Sequence, residues 1–165
     1  MLELAGGDFA RAMGCDPSAG MLSSQGSVNV LRQPSAPELP FADRSVDFVT
    51  VVCVFHHIHG EARKGLSNEI RRVLTPGGMC GIVEDNPGNP VTRWIVKRCP
   101  VDVDAELLYA PAARLLLMAS GLEPIATDYF LYFLERFFHR LGAVETLFSR
   151  VALVAQYGLL ARVPA

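Results

Sequence analysis

Neither sign of charge prevails in this chain. Its 165 residues carry 15 basic and 17 acidic side chains, a formal net charge of -2. Nucleic-acid binders usually carry a basic stripe, so this balance gives no electrostatic case for nucleic acid as a partner. Long apolar runs are also missing. The longest, residues 48–55, is strand-sized, far below the roughly 18 residues of a membrane span. Met1-Leu2-Glu3-Leu4 has neither the basic start nor the apolar core of a signal peptide. Cysteine is sparse: Cys15, Cys53, Cys80 and Cys99 stand far apart with no CxxC pair. Such spacing argues against a disulfide framework and fits buried free thiols in a reducing, cytoplasmic setting. Charged residues make up 19% of the chain and apolar ones 50%, which argues against disorder. The length fits a single domain over residues 1–165.

What is present is an alternation of strand-like and helix-like patterns. Residues 2–4 read as a short strand, followed by a turn at 5–8. Cys15-Asp16 ends a second strand, 17–24 opens a helix, and 28–32 is a weak strand. Residues 48–55 are apolar except for Thr50 and include four valines, which predicts a strand buried on both faces. Residues 61–74 read as a helix with Leu66, Ile70 and Val73 on one face. Arg63, Lys64, Arg71 and Arg72 then face solvent. Thr75-Pro76-Gly77-Gly78 reads as the helix stop and turn, and 79–84 as another buried strand. Two Asn-Pro steps mark a loop at 85–90, a helical turn follows at 92–98, and 109–120 forms a helix stopped by Gly121. Phe130, Phe133, Leu134, Phe137, Phe138 and Leu141 form a helical stripe, read as core or lid packing. Residues 151–155 and 157–163 close the sheet.

Strands alternating with helices predict an α/β fold with a parallel sheet. Ligands of such sheets bind outside the carboxyl ends of the strands. Gly6 and Gly7 lie there, where glycine lets a ligand approach the backbone. Asp16 stands at the second strand end, where a carboxylate can accept both ribose hydroxyls. Phe55, His56 and His57 end the valine-rich strand, and an imidazole there suits a general base. Glu84 and Asp85 either hold a substrate or cap the next loop. Trp94, Tyr129 and Tyr132 are candidates for an acceptor pocket, although core packing is the simpler account. Cys53, His56, His57 and His59 do not predict a metal centre, because no second cluster supplies ligands.

Three strings then narrow the family. Leu39-Pro40-Phe41-Ala42-Asp43 leads to Asp47-Phe48-Val49 at the strand. Glu69-Ile70-Arg71-Arg72-Val73-Leu74-Thr75-Pro76-Gly77-Gly78 ends the helix. Glu84-Asp85-Asn86-Pro87-Gly88-Asn89-Pro90-Val91-Thr92-Arg93 follows the next strand. With these strings the chain resembles the class I S-adenosylmethionine-dependent methyltransferases of the small-molecule, type 11-like kind, in an N-terminally shortened form. The resemblance implies a Rossmann-like, mostly parallel sheet with helices on both faces and an antiparallel C-terminal strand. The first βα units are abbreviated, since Glu3-Leu4-Ala5-Gly6-Gly7-Asp8 is two residues short of the full glycine-rich motif. It implies S-adenosylmethionine as cofactor and a small-molecule acceptor. By the same resemblance, Glu3, Ala5, Gly6 and Gly7 match the first cofactor loop, and Asp16 matches the ribose acid. Pro17 to Met21 match the adenosine turn, and Ser35 and Ala36 the adenine pair. Phe55 and His56 stand beside the methyl group. His56 and His57 are the catalytic candidates. A non-catalytic methyltransferase-like binding or dimerisation module, working as a homodimer, is a second reading drawn from the incomplete motif. A nicotinamide-dependent oxidoreductase is a third, drawn from Gly6-Gly7 and Asp16 alone.

Overall fold

The computed structural model describes residues 9–17, 29–33, 37–130 and 154–164. Strands β1 (Met13–Asp16) and β2 (Asn29–Arg32) form a parallel pair, with Asp16 opposite Arg32. Strands β3 (Val46–Val52), β4 (Leu74–Asp85), β5 (Glu123–Phe130) and β6 (Gln156–Arg162) form a second sheet in the order β3-β4-β6-β5. β3 is parallel to β4, and β6 is antiparallel to both β4 and β5. Three strands of this sheet therefore run one way and the C-terminal strand runs the other. The architecture is a Rossmann-like α/β fold with an antiparallel last strand, as the resemblance implies.

Among the described residues three α-helices accompany the sheets: α1 (Glu61–Val73), α2 (Pro90–Val96) and α3 (Ala110–Ala119). α1 buries Leu66, Ile70 and Val73 at the predicted helical spacing. It touches α3, whose Leu117 is buried with Ile70, Ile82, Tyr157 and Leu159 in one core. β4 is buried on one face, at Cys80, Ile82 and Glu84, and half-buried on the other. β3 is less buried than its valines predict: Val51 alone is buried and Thr50 is exposed. Among the described residues β3 has a strand partner on one side only.

Several local expectations change. β3 stops at Val52, and Phe55–His57 instead forms a short 3-10 helix. Leu74 is already extended (φ -71, ψ 136), so α1 runs directly into β4 without a glycine stop. Thr75-Pro76-Gly77-Gly78 is an irregular step inside β4, where pairing jumps from Val46–Leu74 to Phe48–Met79. Gly77 sits at φ 77 there, and a Cβ on Gly78 would lie 2.9 Å from the Thr75 carbonyl oxygen. The glycines serve a bulge rather than a helix end. Phe130 ends β5, with its ring against Gly158, and is not part of a helix. The rest of its stripe and Tyr132 lie outside the described residues, as do the expected strand at 2–4 and most of the helix at 17–24.

The Leu-Pro-Phe and Glu-Ile-Arg-Arg strings meet in space. Arg72 donates to the carbonyls of Leu39 and Phe41, to Asp43 and to both oxygens of Glu69. Glu69 also accepts the Leu39 amide at 2.9 Å. Arg72 is thus a clamp on the segment entering β3, not a solvent-facing residue of α1. The Asn-Pro segment is likewise structural. Asn89 Oδ1 caps α2 by accepting from Val91 and Thr92, and Asn86 donates to the Val154 carbonyl at 2.8 Å.

Candidate active site

The carboxyl ends of β3 and β4 lie side by side and turn sharply. Cys53 takes φ 54, a left-handed conformation that costs a non-glycine residue about 1 kcal/mol or more. The chain then enters the 3-10 helix with two leading amides facing the end of β4. Glu84 meets them there. Its side chain is 0% exposed, and Oε1 accepts from Val54 N at 2.9 Å and Phe55 N at 2.7 Å. Oε2 lies 2.6 Å from His56 Nδ1. One carboxylate therefore satisfies two buried amides and fixes one imidazole.

His56 is buried, and its Nε2 lies 3.7 Å from Asp102 Oδ1. His57 is 38% exposed, and its Nε2 lies 3.4 Å from the same oxygen. The two rings tilt against each other with centroids 4.2 Å apart. Burial alone pushes the His56 pKa down. The hydrogen bond to Glu84 and the charges of Glu84, Asp85 and Asp102 outweigh it, so the net shift is upward. The loop carrying Asp102 is tied to the 3-10 helix. Glu106 N donates to the His56 carbonyl at 2.8 Å, and Arg63 bridges the carbonyls of Phe55 and Glu106. Arg63, expected in solvent, is mostly buried by this role.

A cleft of about 170 Å³ opens at the same edge, lined by Asp85, Thr92, Ile95, Val96, Ala155 and Gln156. Gln156 donates to Asp85 at 2.8 Å and, more weakly, to Cys53 Sγ at 3.8 Å. Burial, followed by the charges of Asp85, Glu84 and Asp102, pushes the Cys53 thiol up to about 12. All four cysteines are free; Cys80 is fully buried, and Cys15, Cys53 and Cys99 are half-buried.

Of the residues expected to meet the cofactor, Asp16 and Pro17 stand at the end of β1 and Phe55 in the 3-10 helix. Phe55 is 1% exposed, and its ring belongs to the core. Glu3, Ala5, Gly6, Gly7, Met21, Ser35 and Ala36 lie outside the described residues. His56 and His57 lie side by side in the 3-10 helix that follows β3. Trp94 does not pack in the core: it is 57% exposed, with the Arg98 guanidinium 4.2 Å over its ring. Tyr129 packs on Tyr157. Asp102 and Arg63 carried no sequence signal for this site, since one lies in a loop without a motif and the other among helix-surface charges. No described helix is long and apolar enough to cross a membrane.

Residues 1–82 match the family profile described as a methyltransferase domain. No curated protein matches the chain. Among solved structures, a SAM-dependent methyltransferase from Archaeoglobus fulgidus is similar at 15% identity and TM-score 0.72, over 98% of this chain and 80% of that one. A SAM-dependent methyltransferase from Thermotoga maritima is similar at 17% identity and TM-score 0.68, over 93% and 72%. The [4+2]-cyclase SpnF is similar at 21% identity and TM-score 0.65, over 99% and 71%. At these identities the structures speak to fold, and a fold can host more than one chemistry. With the profile match, the signature strings joined by Arg72 and a sheet whose last strand alone is reversed, the chain belongs to the class I methyltransferases, the family whose methyl donor is S-adenosylmethionine.

Proposed function

We propose that this chain, as one domain over residues 1–165, transfers a methyl group from S-adenosylmethionine to a small-molecule acceptor. The observation that carries this reading is the pairing of accessible His57 with the buried Glu84–His56 couple where β3 and β4 end. Ligands of open α/β sheets bind outside that edge. Asp16 fits the cofactor by the chemistry of its donor set: a carboxylate at the end of a parallel strand can accept both ribose hydroxyls. Asp16 and Pro17 would hold the ribose side. Ala5-Gly6-Gly7, Ser35 and Ala36 complete the cradle by resemblance. The bound cofactor supplies a methyl group on a positively charged sulfur. His57 takes the acceptor's proton at Nε2, and Asp102 steadies the imidazolium that results. His56 is buried and acts through position: bound to Glu84, it fixes the 3-10 helix that carries His57. The cleft beside Asp85 and Gln156 is the proposed seat of the acceptor.

Calorimetric titration and thermal melting with millimolar S-adenosylmethionine test this reading. Binding should raise the melting temperature, and Asp16→Ala should weaken it at least tenfold. Turnover of a panel of amine and hydroxyl acceptors should fall in His57→Gln with cofactor affinity unchanged. No heat and no shift at millimolar cofactor would leave the non-catalytic module as the better account.

A further inference from the structure

We propose that His56, His57 and Asp102 form a binding site for one divalent transition-metal ion of the zinc class. One donor atom from each residue lies within 4.8 Å of the other two. The imidazole nitrogens stand 3.7 and 3.4 Å from Asp102 Oδ1. Those separations are long for N–H···O hydrogen bonds, which center near 2.9–3.0 Å. The His57 separation matches the edge of a tetrahedron built on metal bonds of roughly 2.0–2.1 Å, which is about 3.4 Å, and the His56 separation is slightly longer.

The surroundings are those of a prepared ligand set. Glu84 holds His56 Nδ1 at 2.6 Å, which leaves Nε2 directed at the cluster. A carboxylate behind a ligating histidine is the usual way to fix its ring and tautomer. Asp102 is held by turn bonds, its own amide to the Cys99 carbonyl and its carbonyl to the Ala105 amide, at 3.1 and 3.0 Å. Glu106 and Arg63 then tie that loop to the histidine pair. Glu84, Asp85 and Asp102 gather three carboxylates around the two imidazoles, and such a set favours a cation. Local sequence offers no second ligand cluster, and folding supplies the third ligand, Asp102, from a loop distant in the chain. Three protein ligands leave an open position for water or an acceptor oxygen. With an ion bound, His57 Nε2 is a ligand rather than a base, and acidifying the acceptor passes to the metal. The metal site itself stands whether or not methyl transfer occurs.

The full chain, stripped with a chelator, is titrated with Co²⁺ as a coloured stand-in, and Zn²⁺ is then added. One Co²⁺ per chain should bind with the intense visible bands of a tetrahedral site, and Zn²⁺ should displace it. Asp102→Asn and His57→Gln should each weaken binding more than a hundredfold with the circular dichroism spectrum unchanged. His59→Gln, which removes an exposed neighbouring imidazole, should leave binding as it was. Glu84→Gln should cost about 10–100-fold. If that variant unfolds, Asp102→Asn, on a half-buried loop, still decides. Sulfur-to-cobalt charge-transfer bands, binding that survives Asp102→Asn, or substoichiometric weak binding would each overturn the proposal.

Discussion

Glu84 holds three groups with one side chain: the amides of Val54 and Phe55 and the Nδ1 of His56. Removing it leaves buried partners with nothing to replace the bonds. Glu84→Ala should lower stability by about 3–5 kcal/mol, the range for breaking a buried charged pair, and urea denaturation measures it. Glu84→Gln, which can still accept from the two amides, should lose clearly less; equal losses would contradict this account. Cys53 is the second residue-scale case. With its pKa pushed up to about 12, it holds roughly a thousandfold less thiolate at pH 8 than a free cysteine. Alkylation by iodoacetamide at pH 8 should be slow to that degree in the native protein and rapid in urea. The sign for stability follows from the same shift. The folded state keeps the proton that the unfolded state releases near pH 8.5–9. This contribution is therefore present below that pH and is lost as pH climbs toward about 12, for Cys53 and for buried Cys80 alike. His56 and His57 were legible as residues that follow a strand. Asp102 was not, because its loop has no periodicity and its contact exists only in three dimensions.

At the scale of elements, Arg72 explains why two signature strings occur together. Its guanidinium joins α1 to the segment entering β3 through Leu39, Phe41, Asp43 and Glu69. A double-mutant cycle on Arg72→Ala and Glu69→Ala should show a coupling of about 0.5–3 kcal/mol, and additive losses would contradict the clamp. Arg72→Lys should behave like a loss, since an ammonium cannot reproduce a planar fork. α1 and the inner part of β4 follow directly from the 3.6-residue spacing and the apolar run. β5 was hidden because Glu123–Phe130 carries little alternation and ends on the aromatic that opens a helix-like stripe. The Thr-Pro-Gly-Gly string has helix-stop chemistry, but parallel pairing to β3 makes it a bulge.

At the scale of the molecule, the sheet order makes β4 and β6 interior strands of the four-stranded sheet and β3 and β5 its flanks. Amides of Cys80, Ile82, Leu159 and Ala161 should be among the slowest to exchange with solvent, and those of β1 and β2, a short two-stranded pair, among the faster. Hydrogen-exchange mass spectrometry reads this, and early exchange of β6 would contradict the topology. By itself the sequence determined the family and the α/β class, because apolar periodicity, turn chemistry and motif strings are local in the chain. The tertiary structure alone decided that Glu84 is a buried clamp, that Asp102 faces both imidazoles and that β6 enters between β4 and β5. Those outcomes depend on packing between residues far apart in sequence, and no local pattern encodes them.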